Sequence, residues 1–247
     1  MSWVGDMRLS ISHRLREAVL SHYLVPYSRF GLDAGLVPHL AKGTPITLVD
    51  VGANRGDFAA AIRAHAGVRS AVLIEPQAGL ARGLRQRFPE SSIHIEAVAV
   101  SDTNGTAQFD VLEADSCSSL LPIRAAAGFT DRQINVRVKE RQEVRVTTLD
   151  QVLDGHDMGP VIDVLKLDTQ GNELQVMNGA ARALQRVRLL WIEVSFRSLY
   201  EGDVQFAEVH GYLSARGFRF FSLHDVFRGA DRELLQADAL FLGPQSS

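Results

Sequence analysis

The chain has 247 residues, of which 46% are hydrophobic and 22% charged, which is enough for one domain with a sizeable core. Its net charge of -3 and its pI near 6.2 exclude a nucleic-acid surface built on bulk positive charge. The lone cysteine, Cys117, excludes an intrachain disulfide, and no apolar run reaches the roughly 18 residues of a membrane span, so we expect a cytoplasmic protein.

Residues 1–43 precede the first predicted strand, and we expect them to form a helical extension or cap ahead of a single domain over residues 44–247. Apolar residues recur at helical spacing between Leu9 and Leu20, with arginines elsewhere on the same segment. Such a helix either packs on the edge of the domain or lies on a membrane surface, and packing is the simpler interpretation.

The segment from Thr47 to Asp57 predicts a buried strand that runs into a glycine-rich turn and then into a helix. The strand, at about 46–51, is a short apolar run of the kind that a parallel sheet buries on both faces. Gly52 and Gly56 let the backbone turn sharply and approach a ligand, and the helix N-terminus after them faces that ligand. We therefore interpret the turn as a cofactor-binding turn.

A second strand, at about 71–75, ends in Glu75 and Pro76. Glu75 follows Asp50 by 25 residues and lies at the carboxyl end of the next strand. An acidic side chain at that place can accept hydrogen bonds from both hydroxyls of a ribose. We interpret Glu75 as a ribose ligand rather than as a solvated strand-end carboxylate.

Further elements follow in the middle of the chain: a helix at 77–88, a third strand at 93–100, an added strand at 105–112 and a short strand at 143–149. A loop-rich insertion at 115–135 is either a lid or a surface connection. Cys117 lies in this insertion, and because no activating partner is evident in the sequence we assign it no nucleophilic role.

The fourth principal strand is predicted at 161–168 and is followed by a helix at 174–184. Strand alternation places Lys166 and Asp168 on one face, where two charged groups of a central strand cost free energy unless they are paired or used. Glu193 lies on the fifth strand, and the remaining elements are a helix at 204–216 and strands at 218–223 and 239–242.

Strands that alternate with helices predict a doubly wound α/β sheet, whose ligands bind beyond the carboxyl ends of the strands. We expect the first strand to lie between the second and the fourth, so that Asp50, Glu75, Asp168 and Glu193 face one crevice. Neighbouring strands lie ~4.8 Å apart, which brings Asp168 and Glu193 close enough to interact. Lys166, a metal ion or a retained proton must then settle their charge.

Asn54 decides which cofactor suits the turn. A dinucleotide fingerprint, Gly-x-Gly-x-x-Gly, lets the backbone approach a pyrophosphate at its second glycine, and Asn54 stands at that position here. A side chain there disfavours NAD and FAD but is tolerated by S-adenosylmethionine, a nucleoside with an amino-acid tail whose ammonium group suits Asp50. A nicotinamide-dependent oxidoreductase and a non-enzymatic nucleotide-binding protein are the alternatives.

Six short motifs occur in order: Asp-Val-Gly-Ala-Asn-Arg-Gly (50–56), Ile-Glu-Pro (74–76), Ala-Val-Ser-Asp (99–102), Thr-Thr-Leu-Asp (147–150), Leu-Lys-Leu-Asp-Thr-Gln-Gly-Asn-Glu (165–173) and Gly-Ala (179–180). Together they resemble the FkbM family of methyltransferases. The resemblance implies a seven-stranded Rossmann-like class I methyltransferase fold and S-adenosylmethionine-dependent O-methylation, often of sugars or polyketide-derived products. The family more often has Glu where Gln170 stands, so we assign no acid role to that position.

On this basis we predict a cofactor site and a catalytic group. The predicted cofactor-binding residues are Asp50, Gly52, Ala53, Asn54, Gly56, Glu75, Pro76, Val98 and Ser101. Asp168 is predicted to orient or deprotonate an acceptor hydroxyl, with Glu193 supporting it and Lys166 tuning its charge. A divalent metal at the two acids is an alternative that the motifs do not require.

The predicted acceptor is a hydroxyl of a sugar in a glycolipid, a polysaccharide or a glycosylated natural product. A polyketide or peptide natural product is the alternative acceptor. We expect no nucleic-acid partner and no integral membrane segment, although peripheral membrane contact fits the arginine-bearing N-terminal segment. The sequence leaves the oligomeric state open.

Overall fold

The computed structural model describes residues 35–114, 117–124, 136–229 and 231–244. Most of the predicted extension over 1–43 and most of the insertion at 115–135 lie outside these residues. The described part begins with a short 3-10 turn, Val37–His39, that leads toward the first strand. None of the helices in the described ranges is both long and apolar enough to cross a bilayer.

The described residues form ten strands and six α-helices. The strands are β1 (Ile46–Val51), β2 (Val68–Ile74), β3 (Ile93–Glu96), β4 (Ala99–Val100), β5 (Gly105–Leu112), β6 (Val138–Thr147), β7 (Ile162–Leu167), β8 (Val187–Ser195), β9 (Arg219–Arg228) and β10 (Leu234–Leu242). The helices are α1 (Asp57–His65), α2 (Ala78–Arg87), α3 (Leu149–Asp154), α4 (Glu173–Asn178), α5 (Ala181–Leu184) and α6 (Phe206–Ser214).

Seven strands form the main sheet, in the order β3-β2-β1-β7-β8-β10-β9. The five strands from β3 to β8 pair in parallel, whereas β10 is antiparallel to both β8 and β9. The chain leaves β1 toward β2 and β3 and then returns to β7 on the other side, so the strand order reverses between β1 and β7. This confirms the predicted doubly wound α/β fold, whose ligand crevice lies at such a reversal.

Both faces of β1 are buried, as its apolar sequence predicts. Val49 and Val51 pack into a core with residues of β7, β8 and α4. Leu48, on the opposite face, packs with Phe58 of α1 and with Trp191 of β8. Because both faces are covered, only the carboxyl end of β1 and the turn after it are free to meet a ligand.

Two predicted elements are each divided in the structure. The predicted third strand at 93–100 was wrong as one strand, because β3 joins the main sheet while β4 joins a three-stranded sheet in the order β4-β6-β5. The predicted helix at 174–184 consists of α4 and α5, which are separated at Gly179. A Cβ on Gly179 would lie 2.2 Å from the Ser101 carbonyl oxygen, so the chain packs closely against the turn after β4 there.

Candidate active site

The turn after β1 is fixed by contacts with both neighbouring strands. The N–H groups of Gly52 and Ala53 both donate to the Ile74 carbonyl at the end of β2, at 3.0 Å. Gly52 has a φ of 80°, and a Cβ at this position would lie 1.8 Å from the Asp168 carbonyl oxygen. Only glycine therefore fits between the turn and the end of β7.

Asn54 adopts a left-handed conformation with a φ of 47°, which asparagine tolerates better than most residues. Its N–H donates to Oε2 of Glu75 at 2.9 Å, and Oε1 of Glu75 accepts from the N–H of Gln77 at 2.9 Å. Burial raises the pKa of Glu75 to about 7, although these two backbone hydrogen bonds act to lower it. Glu75 thus ties the turn to the end of β2.

A cleft of about 600 Å³ opens above this turn at the carboxyl ends of β1, β2, β4 and β7. Its lining is mostly apolar with a few polar groups, and consists of Val51, Gly52, Asn54, Ile74, Glu75, Pro76, Gln77, Val98, Ala99, Val100, Phe109, Ser118, Leu120, Asp168, Thr169, Gln170 and Asn172. We call it the donor cleft. A lining of this kind, mostly apolar with a few polar groups, is typical of small-molecule sites.

The donor cleft brings together part of the predicted cofactor site. Five of the predicted residues line it: Gly52, Asn54, Glu75, Pro76 and Val98. Four others, Asp50, Ala53, Gly56 and Ser101, are outside its lining. Asp50 is fully buried beneath the turn. The donor-cleft lining also includes Phe109 and Leu120, which come from β5 and the following insertion and carry no local motif.

Lys166 connects the turn to the end of β7 from below. Its Nζ lies 3.4 Å from Oδ1 of Asp50 and donates to the Gly52 carbonyl and to Oδ2 of Asp168, both at 3.1 Å. Burial alone would lower the pKa of Lys166, but the carboxylates of Asp168 and Asp50 raise it above its usual range. Lys166 therefore stays charged and holds Asp168 in place.

A second cleft, of about 610 Å³, lies beside the donor cleft and is rich in carboxyl groups. We call it the acidic cleft, and its lining is Lys166, Asp168, Glu193, Asp225, Phe227, Gln236, Ala237 and Asp238. Asp168 lines both clefts and is the residue shared by their linings. The residue predicted to act on the acceptor is thus placed at the boundary between them.

The structure joins Asp168 and Glu193 through an amide. Nε2 of Gln170 donates to Oδ1 of Asp168 at 2.7 Å and to Oε2 of Glu193 at 2.8 Å. Gln236 donates to the same Glu193 oxygen at 3.2 Å. Burial, and then the nearby carboxyl groups, Asp168 first, raises the pKa of Glu193 well above its usual range. The sequence motif singled out Gln170 only as a departure, so its bridging role was missed.

These donors do not suit a metal ion at the two acids. The described residues contain no group of three or more His, Cys, Asp or Glu side chains arranged to hold a metal ion. Between Asp168 and Glu193 stands the NH₂ group of Gln170, which donates hydrogen bonds and cannot ligate a cation. In this arrangement Gln170 and Lys166 are the groups that donate hydrogen bonds to Asp168.

Comparison with known proteins shows the family to which the chain belongs. A family model described as the methyltransferase FkbM domain matches residues 50–220. The chain is also 27% identical over 204 residues to the 2-O-methyltransferase NoeI of Sinorhizobium fredii, which covers 79% of this chain and 82% of that protein.

Two solved structures are more distantly similar. The methyltransferase FkbM from Methylobacillus flagellatus KT is 17% identical with a TM-score of 0.49, over 80% of this chain and 43% of that one. This chain therefore spans less than half of that protein. TrmK of M. capricolum, in complex with S-adenosyl-homocysteine, is 7% identical with a TM-score of 0.44, over 84% of this chain and 66% of that one. At these scores neither structure constrains the function of this chain.

Proposed function

Because the chain belongs to the FkbM methyltransferase family, we propose that it transfers a methyl group from S-adenosylmethionine to a hydroxyl group of a sugar-containing acceptor. The family makes the protein a methyltransferase, and the donor and the acceptor are what we propose. The observation that carries the proposal is the position of Asp168, which lines both the donor cleft and the acidic cleft.

The donor cleft fits S-adenosylmethionine in its chemistry. The carboxylate of Glu75 would accept hydrogen bonds from the ribose hydroxyls, and the apolar side chains of Val98 and Phe109 would contact the adenine. Gly52 would allow the amino-acid tail to approach the backbone. S-adenosylmethionine would supply a methyl group whose carbon–sulfur bond breaks, leaving a neutral thioether, as an acceptor oxygen bonds to the carbon.

The acidic cleft fits an acceptor with several hydroxyl groups. The carboxyl groups of Glu193, Asp225 and Asp238 and the amide of Gln236 provide hydrogen-bond acceptors for hydroxyls along one wall. The NoeI relative is a 2-O-methyltransferase, which is consistent with an oxygen acceptor. We place the acceptor here, beside Asp168.

Asp168 would then take the proton of the reacting hydroxyl, so that the oxygen attacks with its full electron density. Lys166, 3.1 Å from Oδ2 of Asp168, holds this carboxylate in place before the transfer. The proton leaves Asp168 to solvent afterwards, which restores the carboxylate for the next turnover.

We predict that Asp168→Asn lowers the turnover number by ~10²- to 10⁴-fold, because an amide cannot accept the hydroxyl proton. Calorimetry should show that affinity for S-adenosylmethionine stays within a few-fold of wild type. Asp154→Asn is the control, since Asp154 is exposed and pairs with Arg182. Turnover by Asp168→Asn at nearly the wild-type rate would remove Asp168 as the base.

The donor and the acceptor are tested separately on the wild-type protein. Calorimetry should detect S-adenosylmethionine and not NAD, and the reverse result would contradict the proposed donor. Incubation with methyl-labelled S-adenosylmethionine should then transfer label to oligosaccharides or glycolipids. Label that appears only in polyketides or peptides would contradict the sugar acceptor.

A further inference from the structure

We propose that Gln170 is a positioning residue for the transfer, which holds Asp168 and Glu193 in one fixed arrangement, and that Tyr200 fixes the amide of Gln170. This inference rests on the proposed function, because it assigns a task to a residue beside the proposed base. It is carried by the hydrogen bonds of the Gln170 side chain and by the conformation of its backbone.

The amide nitrogen of Gln170 has two hydrogens, and each is directed at a carboxylate. Nε2 lies 2.7 Å from Oδ1 of Asp168 and 2.8 Å from Oε2 of Glu193. The other Asp168 oxygen accepts from Lys166 at 3.1 Å. Rotation of the Asp168 carboxylate would break bonds to both donors, so its remaining lone pairs point in a fixed direction.

Tyr200 fixes which end of the amide faces the acids. Its hydroxyl donates to Oε1 of Gln170 at 2.7 Å and lies 3.1 Å from the Cys117 carbonyl oxygen, so one hydrogen is shared between two acceptors. The reverse orientation would turn Oε1 toward two carboxylates, which only accept hydrogen bonds when ionised. Tyr200 itself is fully buried and cannot move aside without loss of packing.

The backbone of Gln170 adopts a left-handed conformation, which fixes the position of its side chain. Its φ of 56° lies in the left-handed region, which residues with a Cβ rarely adopt. The Gln170 carbonyl accepts from Oγ of Ser119 at 2.7 Å, which helps to hold this conformation. Such strain persists where the surroundings over-determine it, and it occurs often at functional sites.

The charges around the two acids explain why a neutral donor is needed. The titratable groups that act on one or both of them are Lys166, Asp50, Glu173, Tyr200 and Asp238. Cys117 acts on Tyr200, and Asp225 acts on Asp238. Lys166 is the cation of this set, against several carboxyl groups. The hydrogen bond from Gln170 lowers the pKa of Glu193, against burial and its acidic neighbours. A glutamate at position 170 would add charge and remove the donors.

The test is Gln170→Glu, which keeps the shape of the side chain and removes its NH₂ group. We expect kcat to fall roughly 10- to 100-fold, as for the loss of hydrogen bonds to charged groups, with S-adenosylmethionine affinity within a few-fold of wild type. The kcat–pH profile should move to higher pH, because a carboxylate at position 170 disfavours ionised acids beside it. Tyr200→Phe should lower kcat and move the kcat–pH profile in the same directions as Gln170→Glu, but by smaller amounts.

Gln236→Glu is the matched control, because Gln236 donates to Glu193 at 3.2 Å and not to Asp168. It should move the pH profile less than Gln170→Glu does. Gln108→Glu, at an exposed position on β5, controls for the added charge alone. Thermal unfolding identifies a variant that fails to fold, in which case Tyr200→Phe decides the question.

A readout independent of turnover separates this inference from the proposed function. NMR titration of isotope-labelled carboxyl groups, assigned with Glu193→Gln, should show a higher pKa for Glu193 in Gln170→Glu than in wild type. If wild type transfers no methyl group, the proposed function fails and this titration alone decides whether Gln170 holds the acids. The inference is overturned if Glu193 titrates in Gln170→Glu as it does in wild type. It is also overturned if the kcat–pH profile of Gln170→Glu equals that of wild type.

Discussion

Glu75 shapes the turn after β1 and, in the proposed function, also binds the ribose. Both of its oxygens already accept backbone N–H groups, from Asn54 and from Gln77, each at 2.9 Å. A carboxylate has about four lone-pair positions, so it can accept two further hydrogen bonds from a ribose. One side chain thus shapes the turn and would also recognise the cofactor.

At this residue we predict that Glu75→Gln weakens S-adenosylmethionine binding roughly 10- to 100-fold, as expected when a buried charge-assisted hydrogen bond is lost. The amide can accept through one atom only, so it cannot serve both the backbone and the ribose. Calorimetry at a pH above about 7, the pKa of Glu75, measures the affinity for S-adenosylmethionine. Glu90→Gln, at an exposed residue paired with Arg63, is the control and should leave affinity unchanged. Unchanged affinity in Glu75→Gln would argue against the ribose role.

Gln170 and Tyr200 show what the sequence could not predict at the residue scale. They lie 30 positions apart and meet only through the fold. Asp168 and Glu193 were predictable as a pair, because strand-end acids on neighbouring parallel strands must converge. The amide that joins them leaves no periodic or compositional signal, and only its departure from the family motif drew notice.

At the scale of elements, the donor cleft depends on the contact between the β1 turn and the end of β7. We predict that Gly52→Ala lowers the free energy of unfolding by about 3 kcal/mol or more, because its Cβ would lie 1.8 Å from the Asp168 carbonyl oxygen at a φ of 80°. Urea unfolding measures this. Binding of S-adenosylmethionine should also be lost.

Gly83→Ala is the matched control for that variant. Gly83 lies within α2, and a Cβ there meets nothing within 4 Å. Replacement of a helical glycine by alanine should raise the free energy of unfolding by roughly 0.5–1 kcal/mol. Equal unfolding curves for the two alanine variants would contradict the tight contact at Gly52.

The elements that were predicted correctly are those whose sequence signal lies within a few consecutive residues. The apolar runs of β1, β7 and β8 and the turn after β1 are visible in a few consecutive residues. The division between β3 and β4 is not visible in nearby residues, because Ala99 and Val100 pair with Val146 and Thr147 of β6, which is distant in sequence. The break between α4 and α5 likewise depends on the packing of Gly179 against the turn after β4.

At the scale of the whole molecule, buried carboxyl groups make the stability depend on pH. Burial raises the pKa of Glu75, Glu173 and Asp238 to about 7 in the folded protein, against ordinary values of 4.5 for the glutamates and 3.8 for the aspartate. Between these values the folded protein binds more protons than the unfolded chain, so the contribution of these groups to stability is present at low pH and is lost as pH rises through about 7.

We therefore predict that the melting temperature of the ligand-free protein falls from about pH 5.5 to about pH 7.5, with a free-energy loss of roughly 1–3 kcal/mol per group. Asp238→Asn should flatten this dependence, because an amide does not titrate. Thermal unfolding at a series of pH values measures both. A melting temperature that rises over this interval would contradict the burial of protonated carboxyl groups.

The two clefts are built from different parts of the chain. The β9–β10 hairpin supplies five residues of the acidic-cleft lining, namely Asp225, Phe227, Gln236, Ala237 and Asp238, and none of the donor-cleft lining. Substitutions at these five positions can therefore change the proposed acceptor site while every residue that lines the proposed donor site is kept. Gln236 is the position to keep in such a design, because it donates to Glu193.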